Sequence, residues 1–272
     1  MLKRAVVLGG VMAVGVAAVP FVRHAMSRFK PAVTNALTAG TSAEAPPSRR
    51  VAVVLSGSGV YDGSEIQEAV SALIHLSKAN ADVRVFAPNM DQYHVINHLT
   101  GDVMTEESRN VLVEAARIAR GKVEKLDLLD VNQFDAVVVP GGFGVAKNLS
   151  SFAFDGENMQ VQPQVATTLT AFHAAKKPIG LICIAPVLGG KLFPGAELTM
   201  GRRSGAKWSS GPDAASAVES WGGKIVEKDF DQVHVDTTNK IVSAPAYMYD
   251  HATPSTAFDN VGQVIDAVVR MK

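Results

Sequence analysis

PIGLICIAP occupies residues 178–186. Pro178 to Cys183 is apolar without polar alternation, the pattern of a strand buried on both faces of a parallel sheet. A helical stretch begins near Pro186. Cys183, the chain's one cysteine, therefore stands where a strand turns into a helix. A sharp turn of this kind lifts a side chain out of the sheet, and N–H groups at a helix start favour a thiolate. The sequence thus predicts a reactive thiol with a lowered pKa. A free cysteine is also often simply a small buried residue, and the residues alone leave that reading open.

Working outward, other segments repeat the strand-then-helix pattern. VAVVL (51–55) reads as a buried strand ending in Ser56-Gly57-Ser58-Gly59. Asp62-Gly63 marks a turn, Ser64 is a helix N-cap candidate, and Ala69, Val70, Leu73 and Ile74 fall on one helical face. DVRVFA (82–87) is a strand stopped by Pro88, and residues 108–120 read as a helix. AVVV (136–139) is a strand that breaks at Pro140-Gly141-Gly142, and 165–175 is helical. Residues 241–244 read as strand and 255–271 as a closing helix; the stretch before them alternates less clearly. Alternating strands and helices predict a mostly parallel sheet with helices on both faces.

Composition narrows the function classes. Lysine plus arginine and aspartate plus glutamate each number 26, so there is no basic excess to hold nucleic acid. One cysteine excludes an internal disulfide and a cysteine-built zinc site. The glycine loops fit neither the dinucleotide fingerprint nor a Walker loop, and neither cofactor nor metal is expected. His94 and His98 have no clustered carboxylate beside them, and His251 is a base candidate that nothing local fixes.

Residues 1–49 are set apart from a folded domain at 50–272. Residues 1–43 carry basic side chains and no acid, around an apolar run from Ala5 to Val22, and 34–47 read as a linker. A mitochondrial presequence, a membrane anchor and a secretory signal all fit. Membrane contact is expected only through this segment.

Ligands of open α/β sheets bind beyond the carboxyl ends of the strands. Three such ends are unusual here: SGSGVYDGSE, PGGFG and Cys183. The N–H groups of Gly142 and Ile184 are candidates for an oxyanion hole. Glu65, in the first helical turn after the first strand, is either a helix-start carboxylate held by the dipole or a proton shuttle for Cys183.

SGSGVYDGSEI (56–66), FAP (86–88), HVINHLTGD (94–102), ESRNVLVEAARIARGK (107–122), PGGFGVAKNLSSFA (140–153), KPIGLICIAPVL (177–188) and NKIVSAPAYM (239–248) follow in order. Together they resemble the ElbB-type glyoxalase-like proteins and their eukaryotic mitochondrial relatives with a class I glutamine amidotransferase-like domain, within the PfpI-like superfamily. The resemblance spans residues 50–272. It implies a flavodoxin-like three-layer sandwich, a cysteine on a nucleophile elbow at Cys183, and a facing glutamate, matched to Glu65. It implies glyoxalase or deglycase action on methylglyoxal-type 2-oxoaldehydes, and a mitochondrial location. PfpI-like proteases carry histidine directly after the cysteine, where this chain has Ile184; glutaminases carry a late histidine–glutamate pair, where it reads PAYM. A Cys-His-Glu triad is therefore unsupported, against protease and glutaminase activity. The first loop also often holds a cysteine where this chain has Ser58. The alternative is a carbonyl-binding or redox-sensing module using the same thiol. The expected partner is a small carbonyl compound, and a homodimer stays open.

Overall fold

The computed structural model describes residues 49–205, 207–208 and 211–272. The apolar run and the linker lie outside the described residues. Nine strands are described: β1 (Arg50–Val54), β2 (Asp82–Ala87), β3 (Val123–Lys125), β4 (Ala136–Val139), β5 (Ile179–Ile182), β6 (Glu197–Leu198), β7 (Lys224–Ile225), β8 (His234–Asp236) and β9 (Ile241–Ala244). The helices are α1 (Ile66–Lys78), α2 (Val111–Ile118), α3 (Phe143–Lys147), α4 (Phe152–Asp155), α5 (Pro163–Ala174), α6 (Pro186–Leu192), α7 (Gly211–Ser220) and α8 (Pro254–Arg270).

The main sheet runs β3-β2-β1-β4-β5-β9-β8, all parallel except the edge strand β8, which is antiparallel to β9. The central strands β4, β5 and β9 are buried along their whole length, as continuous apolar runs require. Right-handed crossovers place α1 and α2 on one face and α5 and α6 on the other. The closing helix α8 packs on α1, completing the three-layer sandwich. From β1 the chain winds one way to β2 and β3, and from β4 the other way to β5. The reversal lies between β1 and β4, where α/β sheets open a binding crevice.

The structure corrects three local expectations. Val70 and Ile74 of α1 are 38% and 40% exposed, whereas Glu68, Ala69, Ala72 and Leu76 face inward. Small alanines let α1 approach the sheet, and Glu68 can be buried because backbone donors meet it. Ser64 does not cap α1. Its hydroxyl is buried and accepts from the Ser56 N–H at 2.9 Å, while the Glu65 carboxylate caps the helix through the Glu68 N–H at 2.6 Å. Helix α2 is shorter than predicted at its start, because Asn110 accepts from the N–H groups of Leu112 and Val113 and leaves Ser108 outside.

Candidate active site

The ends of β1, β4 and β5 lie side by side, so their three loops share one rim. The loop after β1 is bound to the glycines after β4 backbone to backbone. Glu65 N–H donates to Gly141 C=O at 2.9 Å, Phe143 N–H to Val60 C=O at 2.7 Å, and Gly144 N–H to Gly63 C=O at 2.9 Å. Such proximity leaves no room for side chains. A Cβ on Gly141 would stand 2.4 Å from Cys183 Cβ and 2.7 Å from Glu68 Oε2. Gly142, at φ +96°, would place one 2.3 Å from the Glu65 nitrogen. Asn148 ties the same loop from behind, its amide donating to the carbonyls of Ser56 and Asp62.

Cys183 follows β5 directly. Its N–H still completes the ladder to Ala244 C=O at 2.9 Å, and its φ is +62°. That left-handed conformation is costly for a non-glycine residue and recurs at functional turns. The chain turns sharply here, and the thiol rises out of the sheet, 8% exposed. The N–H groups of Gly142 and Ile184 both reach Cys183. The structure thus brings Cys183, Gly142 and Ile184 together.

The carboxyl against the thiol is Glu68. It is wholly buried beside the Cys183 side chain, its Oε2 and the sulfur both flanking Gly141. Its Oε2 accepts from the Gly141 N–H at 2.9 Å and its Oε1 from the Tyr247 N–H at 3.3 Å. Glu65, the glutamate to which the resemblance assigned that place, sits one turn earlier. It caps α1 and borders the cavity in front of Cys183. The sequence did carry a signal for Glu68: it shares a helix face with Ala72 and Leu76, and an acid on a buried stripe needs a partner.

Burial pushes the Glu68 carboxyl up to about 8, and the charge of Glu65 adds to it; the donors from Gly141, Tyr247 and Cys183 oppose the rise. Burial also pushes the Cys183 thiol well above its ordinary value, followed by the charge of Glu68; the N–H groups of Gly142 and Ile184 pull the other way and lose. The lowered thiol pKa expected from the sequence is thus corrected. Two backbone donors do not offset burial beside an acid. Helix α6 begins only at Pro186, so most of its first-turn donors are not at the sulfur. At neutral pH the pair holds both protons. Above about pH 8 it gives one up. Burial raises Glu65 too, against the first N–H groups of α1.

The cavity in front of the thiol measures about 370 Å³. Cys183, Ile184, Gly142, Glu65, Tyr247 and Asp213 line it, with Phe143, Phe152 and Met248 among its apolar walls. No described histidine lines it. His251 packs beside the Tyr249 ring, and His98 accepts from the Tyr61 N–H through Nε2.

No family model matches the chain. A crystal structure from Ehrlichia chaffeensis, described as an isoprenoid biosynthesis protein with an amidotransferase-like domain, superposes with a TM-score of 0.74. It is 34% identical and covers 82% of this chain and 99% of its own. Fold and rim therefore define an α/β protein of the class I glutamine amidotransferase-like type. The rat protein named ES1 protein homolog, mitochondrial, is 46% identical over 241 residues, 88% of this chain and 90% of its own. The human glutamine amidotransferase-like class 1 domain-containing protein 3, mitochondrial, is 47% identical over 227 residues, 83% and 84% of the two chains. The chain belongs to this family, the mitochondrial ES1 and glutamine amidotransferase-like class 1 domain-containing proteins, and its location is mitochondrial. Among the described residues no helix is long and apolar enough to cross a membrane.

Proposed function

We propose that the protein is a cofactor-independent glyoxalase- or deglycase-like enzyme that acts on 2-oxoaldehydes through Cys183. The observation that carries this reading is the wholly buried Glu68 carboxyl set beside the one cysteine, with the N–H groups of Gly142 and Ile184 drawing the thiol's pKa down. From the state in which the pair holds one proton, sulfur attacks the aldehyde carbon and the new alkoxide collects that proton, giving a hemithioacetal and leaving Glu68 a carboxylate. The C–H proton of that carbon then moves through an enediol to the neighbouring carbon by way of a carboxylate. The aldehyde carbon is thereby oxidised to a thioester as the ketone carbon is reduced to an alcohol. Water hydrolyses the thioester, releasing the 2-hydroxy acid and restoring the thiol. Glu68 has the contact needed for the proton transfers, and Glu65 is the second carboxyl within the cavity. The N–H groups of Gly142 and Ile184 hold the negative oxygen.

The absence of a described histidine in the cavity favours a second reading, a carbonyl-binding or redox-sensing site without turnover. One experiment separates them. Purified wild type and Cys183→Ser are incubated with methylglyoxal, while lactate and the mass of the protein are followed. The enzyme reading expects lactate from wild type and none from the variant. An adduct on Cys183 with no lactate supports the second reading, and lactate from Cys183→Ser rejects both.

A further inference from the structure

The cavity is larger and more acidic than methylglyoxal alone requires. At about 370 Å³ it falls in the size range of small-ligand sites, so a three-carbon aldehyde leaves most of it unfilled. Among the described residues its charged side chains are Glu65, at the start of α1, and Asp213, in the first turn of α7, and no described lysine or arginine lines it. Neither Glu65 nor Asp213 forms an ion pair with a described residue, among which the closest approaches of unlike charge lie elsewhere. Asp213 is exposed, whereas Glu65 is already engaged by the N–H of Glu68. Apolar side chains, among them Phe143, Phe152 and Met248, make up much of the remaining wall. A concave, low-dielectric wall focuses the field of uncompensated carboxylates into the cavity, which raises the local concentration of cations and lowers that of anions.

We propose that this site takes a carbonyl compound that also carries an apolar part and a cationic group, its carbonyl at Cys183 and its cation at Asp213. Carboxylate-bearing carbonyls such as 2-oxo acids are turned away. The inference rests on Cys183 being the reactive centre, as in the proposed function, but not on turnover. Asp213 is a specificity residue and takes no part in the proton transfers.

The single cysteine makes the test direct, because any thiol reagent reports on this cavity alone. Rates of Cys183 modification are measured with three methanethiosulfonates: trimethylammonioethyl (positive), methyl (neutral) and sulfonatoethyl (negative). Each rate is divided by the same reagent's rate with a free thiol. At low salt the positive reagent should be favoured over the negative by roughly tenfold, and added salt should shrink the ratio. Asp213→Asn should lower it by roughly threefold and leave the neutral reagent's rate unchanged, which also shows that the variant is folded. In a second arm, betaine aldehyde and glyoxylate are compared as protectants against the neutral reagent, and the cationic aldehyde should protect at the lower concentration. A ratio near one, equal or better protection by glyoxylate, or a ratio that Asp213→Asn does not change overturns the assignment. Each of these outcomes is independent of whether lactate forms. A protein that makes lactate without charge preference loses only this inference, and one that prefers cations without making lactate loses only the proposed activity.

Discussion

Glu65 and Glu68 stand one helical turn apart and meet two different environments. Glu65 lies at the mouth of α1, on the cavity wall, where the helix's own first N–H groups meet it. Glu68 points inward and is wholly buried, and its partners come from elsewhere in the fold: Gly141 after β4, Cys183 after β5 and Tyr247 after β9. The first is a local device that any helix start could use. The second exists only when three strand ends have assembled, so its properties depend on the whole sheet. Two residues alike in type and close in sequence thus differ in what they report: Glu65 on its helix, Glu68 on the fold.

The widest gap between the two should come from filling the space that Glu68 shares with the thiol. A methyl group at Gly141 would meet Cys183 Cβ at 2.4 Å, Glu68 Oε2 at 2.7 Å and the sulfur at 2.9 Å. None of these atoms can yield without moving a strand end or a buried side chain. Gly141→Ala should cost about 3 kcal/mol of stability, as overpacking at a rigid site does, and should abolish carbonyl adduct formation at Cys183. Gly121→Ala provides the contrast. An added Cβ there meets nothing within 4 Å, so only the strain of its φ of +81° remains, worth about 1 kcal/mol. Urea unfolding of the two variants compares them directly. If Gly141→Ala were as mild as Gly121→Ala, the rim would be looser than these distances describe.

Glu68→Gln should come next, and its sign depends on pH. The folded-state pKa, about 8, lies above the ordinary value of 4.5. The stabilising form is therefore the protonated one, whose contribution is complete below about 4.5 and is lost as pH rises toward 8. Glutamine carries no charge at any pH and escapes that loss. It does set an NH₂ group against one of the two backbone donors, at about 1–3 kcal/mol. The variant should be less stable than wild type near pH 4.5 and should gain on it by several kcal/mol by pH 8. Removing the charge should also lower the thiol's pKa, since Glu68 is among the groups that raise it. Denaturation at several pH values and the pH profile of alkylation read both effects. A stability difference independent of pH would show that Glu68 is not buried as described.

How much of this was legible beforehand follows the same division. The strand runs 51–55, 136–139 and 178–183 announced themselves because parallel strands buried on both faces need unbroken apolar sequence. The turn at Cys183 and the glycines at 141 and 142 followed from where those runs stopped. The resemblance supplied a glutamate facing the thiol and matched it to Glu65, whereas the carboxyl beside the sulfur is Glu68. An N-cap and a core position three residues apart look alike until the partner strands are placed. The outer stripe of α1 misled for a related reason. Val70 and Ile74 satisfy helical periodicity as well as Ala69 and Ala72 do, and only the closeness of the sheet selects the small residues for the inside. The raised pKa of Cys183 was out of reach, because it depends on a burial and an acid contributed by distant segments.

The smallest effects belong to Glu65, and they sharpen the comparison most. Its carboxylate accepts from the Glu68 N–H at 2.6 Å, so a side-chain acceptor at this position is what the helix start requires. Glutamine retains an acceptor oxygen with the same reach. What it removes is a charge that the helix dipole favours and burial disfavours, and burial is the larger influence on this carboxyl. Glu65→Gln should therefore change stability by no more than about 0.5 kcal/mol, in the lower half of the usual dipole contribution of about 0.3–1 kcal/mol at an exposed helix end. Glu65→Ala loses the cap and should cost about 1 kcal/mol. If Glu65 acts only as the cap, the glutamine variant should form lactate from methylglyoxal at the wild-type rate. If it carries a proton between the adduct carbons, the same variant should form the adduct normally and release product roughly 10²–10⁴-fold more slowly. The contact between Glu68 and the sulfur leads us to expect the first result. Single-turnover kinetics of Glu65→Gln beside Glu68→Gln decide it: a slow step confined to the Glu65 variant would move the proton transfer outward, from the buried carboxyl to the one on the cavity wall.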